Sequence, residues 1–366
     1  MNNKISVSEV LDLLICPRKA WSDRSPALSW LRTPVSTSQA LGTTLHQLIE
    51  EIDSGRFDAF DEHEIDHQVT ERWGQLIEKA RSEILRQSTF GPVPAAERWP
   101  FFVMKRARAV SRAQARRGSR TSPGTRASPD LEASLESDSL GLKGRIDRIE
   151  FSNEDVRIID HKSSSRPALG IPRRYELQIL IYCVLYEACS GVQPASGAIE
   201  WLGGERDYIE VSPELLAEIK SQMASARRHL ESVETPAGIP TPESCKYCPY
   251  RAVCEQYASV DRSEWDGQPN FIVGKVEKLI EFSSVISMNI QVTSSHPINL
   301  STATVHGIPA NLAIRSGDTI VMDRLSWPRN SSNFDINWES RLQIIRDTGR
   351  SPGNVDGSAN QIPAVR

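Results

Sequence analysis

A chain of 366 residues with 39% hydrophobic and 25% charged content has room for two domains with cores of their own. Its net charge of −4 excludes a generally basic nucleic-acid binder, so any contact with a polyanion must be local. No apolar run is long enough to span a membrane, and the N-terminal Met1-Asn2-Asn3-Lys4 lacks the apolar core of a signal peptide. The 6 cysteines, in so long a chain, fit a reducing cytoplasm better than a disulfide scaffold.

From the N-terminus, Ser6 to Glu9 reads as a capping box that opens a first helix, and Cys16 stands alone at its end in Ile15-Cys16-Pro17-Arg18. Leu41, Leu45, Leu48, Ile49 and Ile52 then recur at helical spacing. His46 and Glu50 lie one turn apart on another face, where a neutral imidazole can serve as a metal ligand. Between Arg98 and Arg126 there are nine Lys or Arg residues and no acid. Lys105, Arg108, Arg112 and Arg116 share one helical face, which either tracks a phosphate backbone or is simply solvated. Gly118 to Pro129 is rich in Gly, Ser and Pro and reads as a loop.

The next segment carries the chemistry. Leu140, Leu142 and Ile146 alternate with polar neighbours, Val156, Ile158 and Ile159 supply a second strand, and Ser152 to Asp155 make the turn between them. A regular hairpin across that turn pairs Phe151 with Val156 and so sets Asp147 opposite Asp160. Two facing carboxylates repel unless a cation sits between them, and hard oxygen ligands suit Mg²⁺ or Mn²⁺. Lys162 returns to the face of Asp160, where its ammonium can orient an attacking water or stabilise charge on a phosphoryl oxygen. Arg166 to Arg174 adds a basic group. The helix after Pro172 carries Tyr175, Gln178, Tyr182 and Tyr186 on one stripe, beside Leu177, Leu180, Ile181 and Val184, and Cys183 and Cys189 within it read as buried.

Cys245-x2-Cys248-x5-Cys254 is a compact metal-ligand cluster that lacks a fourth thiolate, and Cys16 is a candidate for it. After Asp261 five strands are expected, over 271–282, 285–293, 298–306, 319–325 and 334–345, with a tight reversal at Arg315-Ser316-Gly317-Asp318. Five strands in about eighty residues predict a small closed barrel of OB-like type over 265–346, with 347–366 as a disordered tail. In such a barrel Trp327, Phe334 and Trp338 either stack single-stranded bases or form a core that docks a partner protein.

The order Gly42-x3-His46, Gly144-x2-Asp147, Asp160-x-Lys162 and Gln178-x3-Tyr182 resembles the RecB-like branch of the PD-(D/E)XK nucleases over residues 1–258. The resemblance implies an α/β, restriction-endonuclease-like core: a mixed sheet flanked by helices, with the hairpin at its centre and a helical N-terminal arch carrying His46. It implies His46, Asp147, Asp160 and the main-chain carbonyl of His161 as metal ligands and Lys162 as the catalytic lysine. Gln178 and Tyr182 match the accessory motif, with Tyr175, Arg173 and Arg174 beside them for contact with DNA, and Glu132 or Glu136 as an assisting acid. A lone Cys before Pro-Arg with a compact trio near residue 250 is similar to the iron-sulfur subset of this branch, including the AddB-type nuclease domain and the CRISPR-associated RecB-like exonucleases. A 4Fe-4S cluster on Cys16, Cys245, Cys248 and Cys254 then acts as a structural staple, with a four-cysteine Zn²⁺ site as the alternative. The implied activity is a Mg²⁺- or Mn²⁺-dependent exonuclease or end-processing nuclease that prefers single-stranded DNA or free ends, in repair, recombination or foreign-DNA defence. A separate helicase would supply unwinding, since no GxxxxGK[ST] motif is present. The competing classes are a non-catalytic DNA-binding subunit of a helicase complex and a sequence-specific endonuclease.

Overall fold

The computed structural model describes residues 4–345 apart from 32–34, 89, 121–129, 153–154, 232–234, 263–264, 266–268, 297–298 and 327–331. Trp327 and the 347–366 tail lie outside the described residues, as does most of the Gly/Ser/Pro-rich loop. The chain divides into two compact units, Met1–Trp21 with Pro34–Ile239 and Ser22–Thr33 with Pro240–Arg366.

In the first unit a short strand β1 (Ile5–Ser6) leads into α1 (Val7–Ile15) through the expected capping box. Ser6 Oγ accepts from the Glu9 N–H at 3.2 Å and the Glu9 carboxylate accepts from the Ser6 N–H at 2.8 Å. Cys16 closes α1, and α2 (Pro17–Arg24) starts on proline. Three helices follow and pack on one another: α3 (Thr37–Asp53), α4 (Glu62–Gln87) and α5 (Phe102–Arg120). The apolar stripe Leu41, Leu45, Leu48 and Ile52 is buried in this arch, and Ile49 is turned partly outward with His46.

The strands β2 (Asp130–Ser137), β3 (Leu142–Ser152), β4 (Asp155–His161), β5 (Ser196–Glu200) and β6 (Arg206–Glu210) join β1 in a six-stranded mixed sheet. The order β1-β3-β4-β5-β6, with β2 on the far side of β3, combines parallel β1/β3 and β4/β5 pairs with antiparallel β2/β3, β3/β4 and β5/β6 pairs. The predicted pairing Phe151↔Val156 is present, but Ser152 pairs with Asp155, so the ladder runs one pair further and the connection is the two residues 153–154, outside the described set. One edge of β3 is divided: β1 lies along Leu142 and Lys143, and β4 lies along Arg148 to Ser152. Among the described residues no strand pairs with 144–147 on that edge.

Between β4 and β5, α6 (Arg173–Ser190) starts behind Pro172 and stops at Gly191, whose φ of 74° is the left-handed cap glycine accepts. Every residue from Ile179 to Tyr186 is buried, because α6 lies on β2–β5 with α1 and α7 (Pro213–Glu231) beside it. The expectation for Cys189 is corrected. Cys183 is buried, but Cys189, in the last turn, is exposed and donates to the Glu136 carbonyl.

The second unit carries α8 (Pro242–Cys245), α9 (Glu255–Ser259) and strands β7 (Asn270–Phe282), β8 (Val285–His296), β9 (Thr302–Pro309), β10 (Thr319–Leu325), β11 (Asn333–Asp335) and β12 (Arg341–Ile345). The last predicted strand is therefore two short ones. The reversal at Arg315–Asp318 is present, with Gly317 at φ 94°. The barrel expectation is corrected: the sheet is open, in the order β11-β9-β8-β7-β10-β12, and among the described residues no ladder joins β11 to β12. Its two faces have different covers. Ile272, Met288, Ile290, Ile320, Met322 and Phe334 form one core, while Phe271, Val273 and Val321 pack on the other face against Leu31, Cys245, Tyr250 and Tyr257. The edge strands β11 and β12 are short, 3 and 5 residues, which leaves little backbone for a closing ladder. Phe334 is 2% exposed, so it is core rather than a stacking platform.

Gly144 stands where α6 and α1 come nearest β3. A Cβ there would lie 2.7 Å from Val7 Cγ2 and 3.1 Å from both Leu185 and Tyr182. Gly144→Ala is expected to lower stability by about 1–3 kcal/mol in urea denaturation, because a buried helix and strand must separate to admit the methyl group.

Candidate active site

Extending the register past Arg148↔Ile159 brings Asp147 opposite Asp160, as the hairpin predicts, at the point where β3 has no partner strand on that edge. The Asp147 side chain fills the missing bond: its Oδ2 accepts from the His161 N–H at 2.8 Å. Burial, then the charge of Asp160, pushes the Asp147 carboxyl above its ordinary range, while His46 and the His161 N–H act to lower it. Asp160 is 4% exposed. Lys162 Nζ is 2.6 Å from Asp160 Oδ2, yet off the hydrogen-bonding direction, so this enclosed oxygen has an ion-pair neighbour and no hydrogen-bond donor.

Lys162 is fixed from three sides. Its ammonium donates to Gln178 Oε1 at 2.8 Å, sits 4.3 Å above the Tyr175 ring and faces Asp160. Tyr175 in turn rests against Trp201 at 5.9 Å. Tyr182, one turn beyond Gln178 and hydrogen-bonded to it, is buried, and burial followed by the Asp160 charge pushes its hydroxyl up to about 12. The two accessory residues therefore hold the lysine from inside the molecule. Arg173 and Arg174 are engaged with Glu176 and Asp12 at 2.8 and 2.9 Å, and Arg166 with Asp207.

The other face of β4 holds what sequence reasoning missed. His161 Nδ1 lies 3.4 Å from Glu200 Oε1, and Glu200, at the end of β5, also receives Arg108 at 2.6 Å and Arg206 at 2.8 Å. Burial works to raise the Glu200 carboxyl, but hydrogen bonding and charge from His161 and Arg206 override it and hold the group well below the usual carboxylate range. The available signal was an acid inside the apolar run Ala198-Ile199-Glu200-Trp201-Leu202. A small cleft opens here, lined by His46, Ile49, Arg108, His161, Lys162 and Ser163 among others.

The basic face of α5 does not track a polyanion. Arg108 binds Glu200, Arg112 forks onto Asp53 at 2.9 and 2.7 Å, and Arg116 forks onto Asp58 at 3.0 and 3.2 Å. Lys105 is buried against Ser163. Of the two assisting acids, Glu136 is bound by Lys4 at 2.8 Å, opposite Lys143 near the start of β3. Glu132 stands on β2 between Leu131↔Arg148 and Ala133↔Ile146, hence opposite Asp147, with its side chain outside the described set.

The donor chemistry fits a divalent cation. An enclosed Asp160 oxygen without a hydrogen-bond donor, next to a carboxyl whose ionisation is opposed by burial and by that same charge, offers hard oxygen ligands whose charge a single lysine balances only in part, which is what Mg²⁺ or Mn²⁺ takes. Among the described residues no three His, Cys, Asp or Glu side chains already converge as a cage. Cys245, Cys248 and Cys254 share one turn-rich stretch of the second unit, with the Cys248 N–H donating to the Cys245 carbonyl at 3.1 Å, and Cys16 belongs to the first unit. All six cysteines are free of disulfides.

Over residues 4–255 the chain matches the PD-(D/E)XK nuclease superfamily, and it belongs to that superfamily. Among solved structures, that of SSO0001 is similar at 15% identity with a TM-score of 0.25, covering 59% of this chain and 98% of the other. A presumptive exonuclease from Eubacterium rectale is similar at 13% identity with a TM-score of 0.38, covering 73% of this chain and 94% of the other. No curated protein matches the chain. No helix among the described residues is long and apolar enough to cross a membrane.

Because the Asp147 carboxyl is raised above its ordinary 3.8, the folded chain holds this proton more tightly than the unfolded one. Its contribution to stability is complete below pH 3.8 and falls as pH rises toward the elevated value. In EDTA, Asp147→Asn should therefore be more stable than the parent at pH 6–8 and lose that advantage near pH 4. Each tenfold change in proton affinity corresponds to about 1.4 kcal/mol, read by urea denaturation across pH.

Proposed function

We propose that this chain is a Mg²⁺- or Mn²⁺-dependent deoxyribonuclease of the RecB-like branch, an exonuclease or end-processing enzyme acting on single-stranded or free-ended DNA. The observation that carries the reading is the pair of half-buried Asp147 and buried Asp160 with Lys162 locked beside it by Gln178 and Tyr175. In this reading Asp147 and Asp160, with His46 from the arch and the main-chain carbonyl of His161, hold the cation. That cation, when bound, lowers the pKa of a coordinated water and offsets charge on the scissile phosphate. Lys162 orients the attacking water and stabilises charge on a non-bridging oxygen. Gln178 and Tyr182 act by keeping the ammonium in place, and Glu200 with Arg108 by keeping His161 and the arch in register.

The cysteine spacing supports a 4Fe-4S cluster on Cys16, Cys245, Cys248 and Cys254 that staples distant parts of the chain, with Zn²⁺ as the alternative metal. The absence of a P-loop motif supports a separate helicase or ATPase partner, and the composition a cytoplasmic setting.

Purified chain should degrade end-labelled single strands in Mg²⁺ or Mn²⁺ and stop in EDTA. Asp160→Ala and Lys162→Ala should each lower the rate by about 100-fold or more while the chain stays folded. Strand binding without cleavage in the parent would make it a non-catalytic DNA-binding subunit. Chain prepared without oxygen should be brown with about four irons, and Cys16→Ser should lower Tm as much as Cys248→Ser. Stoichiometric zinc without visible absorption would name the other metal.

A further inference from the structure

Three of the four cations along one face of α5 are matched by carboxylates, and the fourth, Lys105, is not. Lys105 is 3% exposed, and its Nζ donates to Ser163 Oγ at 3.3 Å. Among the described residues no carboxylate comes within ion-pair distance of it. Burial pushes its ammonium down to about 8. An enclosed ammonium without a counter-charge is costly unless an anion joins it.

Ser163 lines the cleft next to Lys162, together with His46 and Arg108. Its oxygen accepts from Lys105, and among the described residues its own proton has no acceptor. Gly42, one turn ahead of His46, lets α3 pack close to this hydroxyl, since a Cβ there would lie 3.0 Å from Ser163 Oγ. A hydroxyl with a free proton on the wall of the cleft and a buried cation behind it is a receptor for a small anionic oxygen.

We propose that Ser163, backed by Lys105, is a phosphate subsite for the bound strand: its hydroxyl donates to a non-bridging oxygen of the phosphate next to the one being cut, and Lys105 balances that charge from behind. This rests on the nuclease reading and adds to it a strand-positioning contact separate from the cation ligands. Ser163 touches the strand, and Lys105 is a positioning residue.

The test uses the full chain and single-stranded oligonucleotides that each carry one neutral methylphosphonate at a different linkage. Affinity is measured in EDTA and initial cleavage rate in Mg²⁺. The parent should lose about tenfold in affinity when one linkage flanking the cleavage position is neutral. Lys105→Met and Ser163→Ala should bind the all-phosphate strand about tenfold more weakly and show less than a twofold dip at that linkage, whereas a purely structural role would leave the dip in place. Lys105→Met should melt no lower than the parent, because it removes an unbalanced buried charge, and Ser163→Ala carries the test if it does not fold. A parent that cuts DNA while both variants keep the full dip overturns the subsite alone. A parent that neither binds nor cuts overturns the nuclease reading and the subsite together.

Discussion

The first unit is organised around one unfavourable arrangement: two carboxylates held side by side at the end of a hairpin, largely closed to water. Burial and mutual repulsion both oppose the ionised form of Asp147, and the His46 imidazole and the His161 N–H offset this only in part. The arrangement persists because β3 is shared. With β1 along Leu142 and Lys143 and β4 along Arg148 to Ser152, residues 144–147 are left without a partner strand, and the Asp147 carboxylate takes the His161 N–H in place of a main-chain carbonyl. Gly144 lets α6 approach that opening, and α6 then delivers Gln178, Tyr182 and Tyr175 to the lysine.

Opposite faces of the sheet have opposite electrostatic solutions. On the α6 side one lysine faces two carboxylates, which leaves net negative charge for a cation to balance. On the arch side Glu200 is enclosed by Arg108, Arg206 and His161, and Asp53 by Arg112, so the charges balance and the arch is tied to the sheet. Removing one member of such a buried set leaves the other uncompensated, so these pairs fix position more than they add stability. The basic character of α5 thus belongs to the interior, and the low net charge of the chain agrees with a protein that does not depend on a broad basic surface.

In the second unit the cysteine-bearing segment covers one face of the open sheet. Arg251, 3% exposed, reaches Asp323 on β10 and lies 5.6 Å from the Phe271 ring, and Tyr250 donates to Asp23 at 2.7 Å. Cys245, Cys248 and Cys254 are thereby held on a short stretch anchored by neighbours.

The sequence by itself determined the hairpin and its register, because the turn between Ser152 and Asp155 sets which residues face each other and a period-2 pattern forbids a one-residue slip, and Phe151↔Val156 follows from it. It also determined the helices that carry His46 and Gln178, through apolar periodicity and the proline ahead of the second, and the start of α1 through the capping box at Ser6. Tertiary structure decided what pattern cannot carry. A row of cations on a helix reads the same whether it faces solvent or carboxylates brought from residues 53, 58 and 200, and only the folded chain supplies those partners. Strand count and spacing are likewise equal for a barrel and an open sheet; which strands become free edges, and the cover that Leu31, Cys245, Tyr250 and Tyr257 bring to one face of β7 and β10, depend on contacts between residues far apart in sequence.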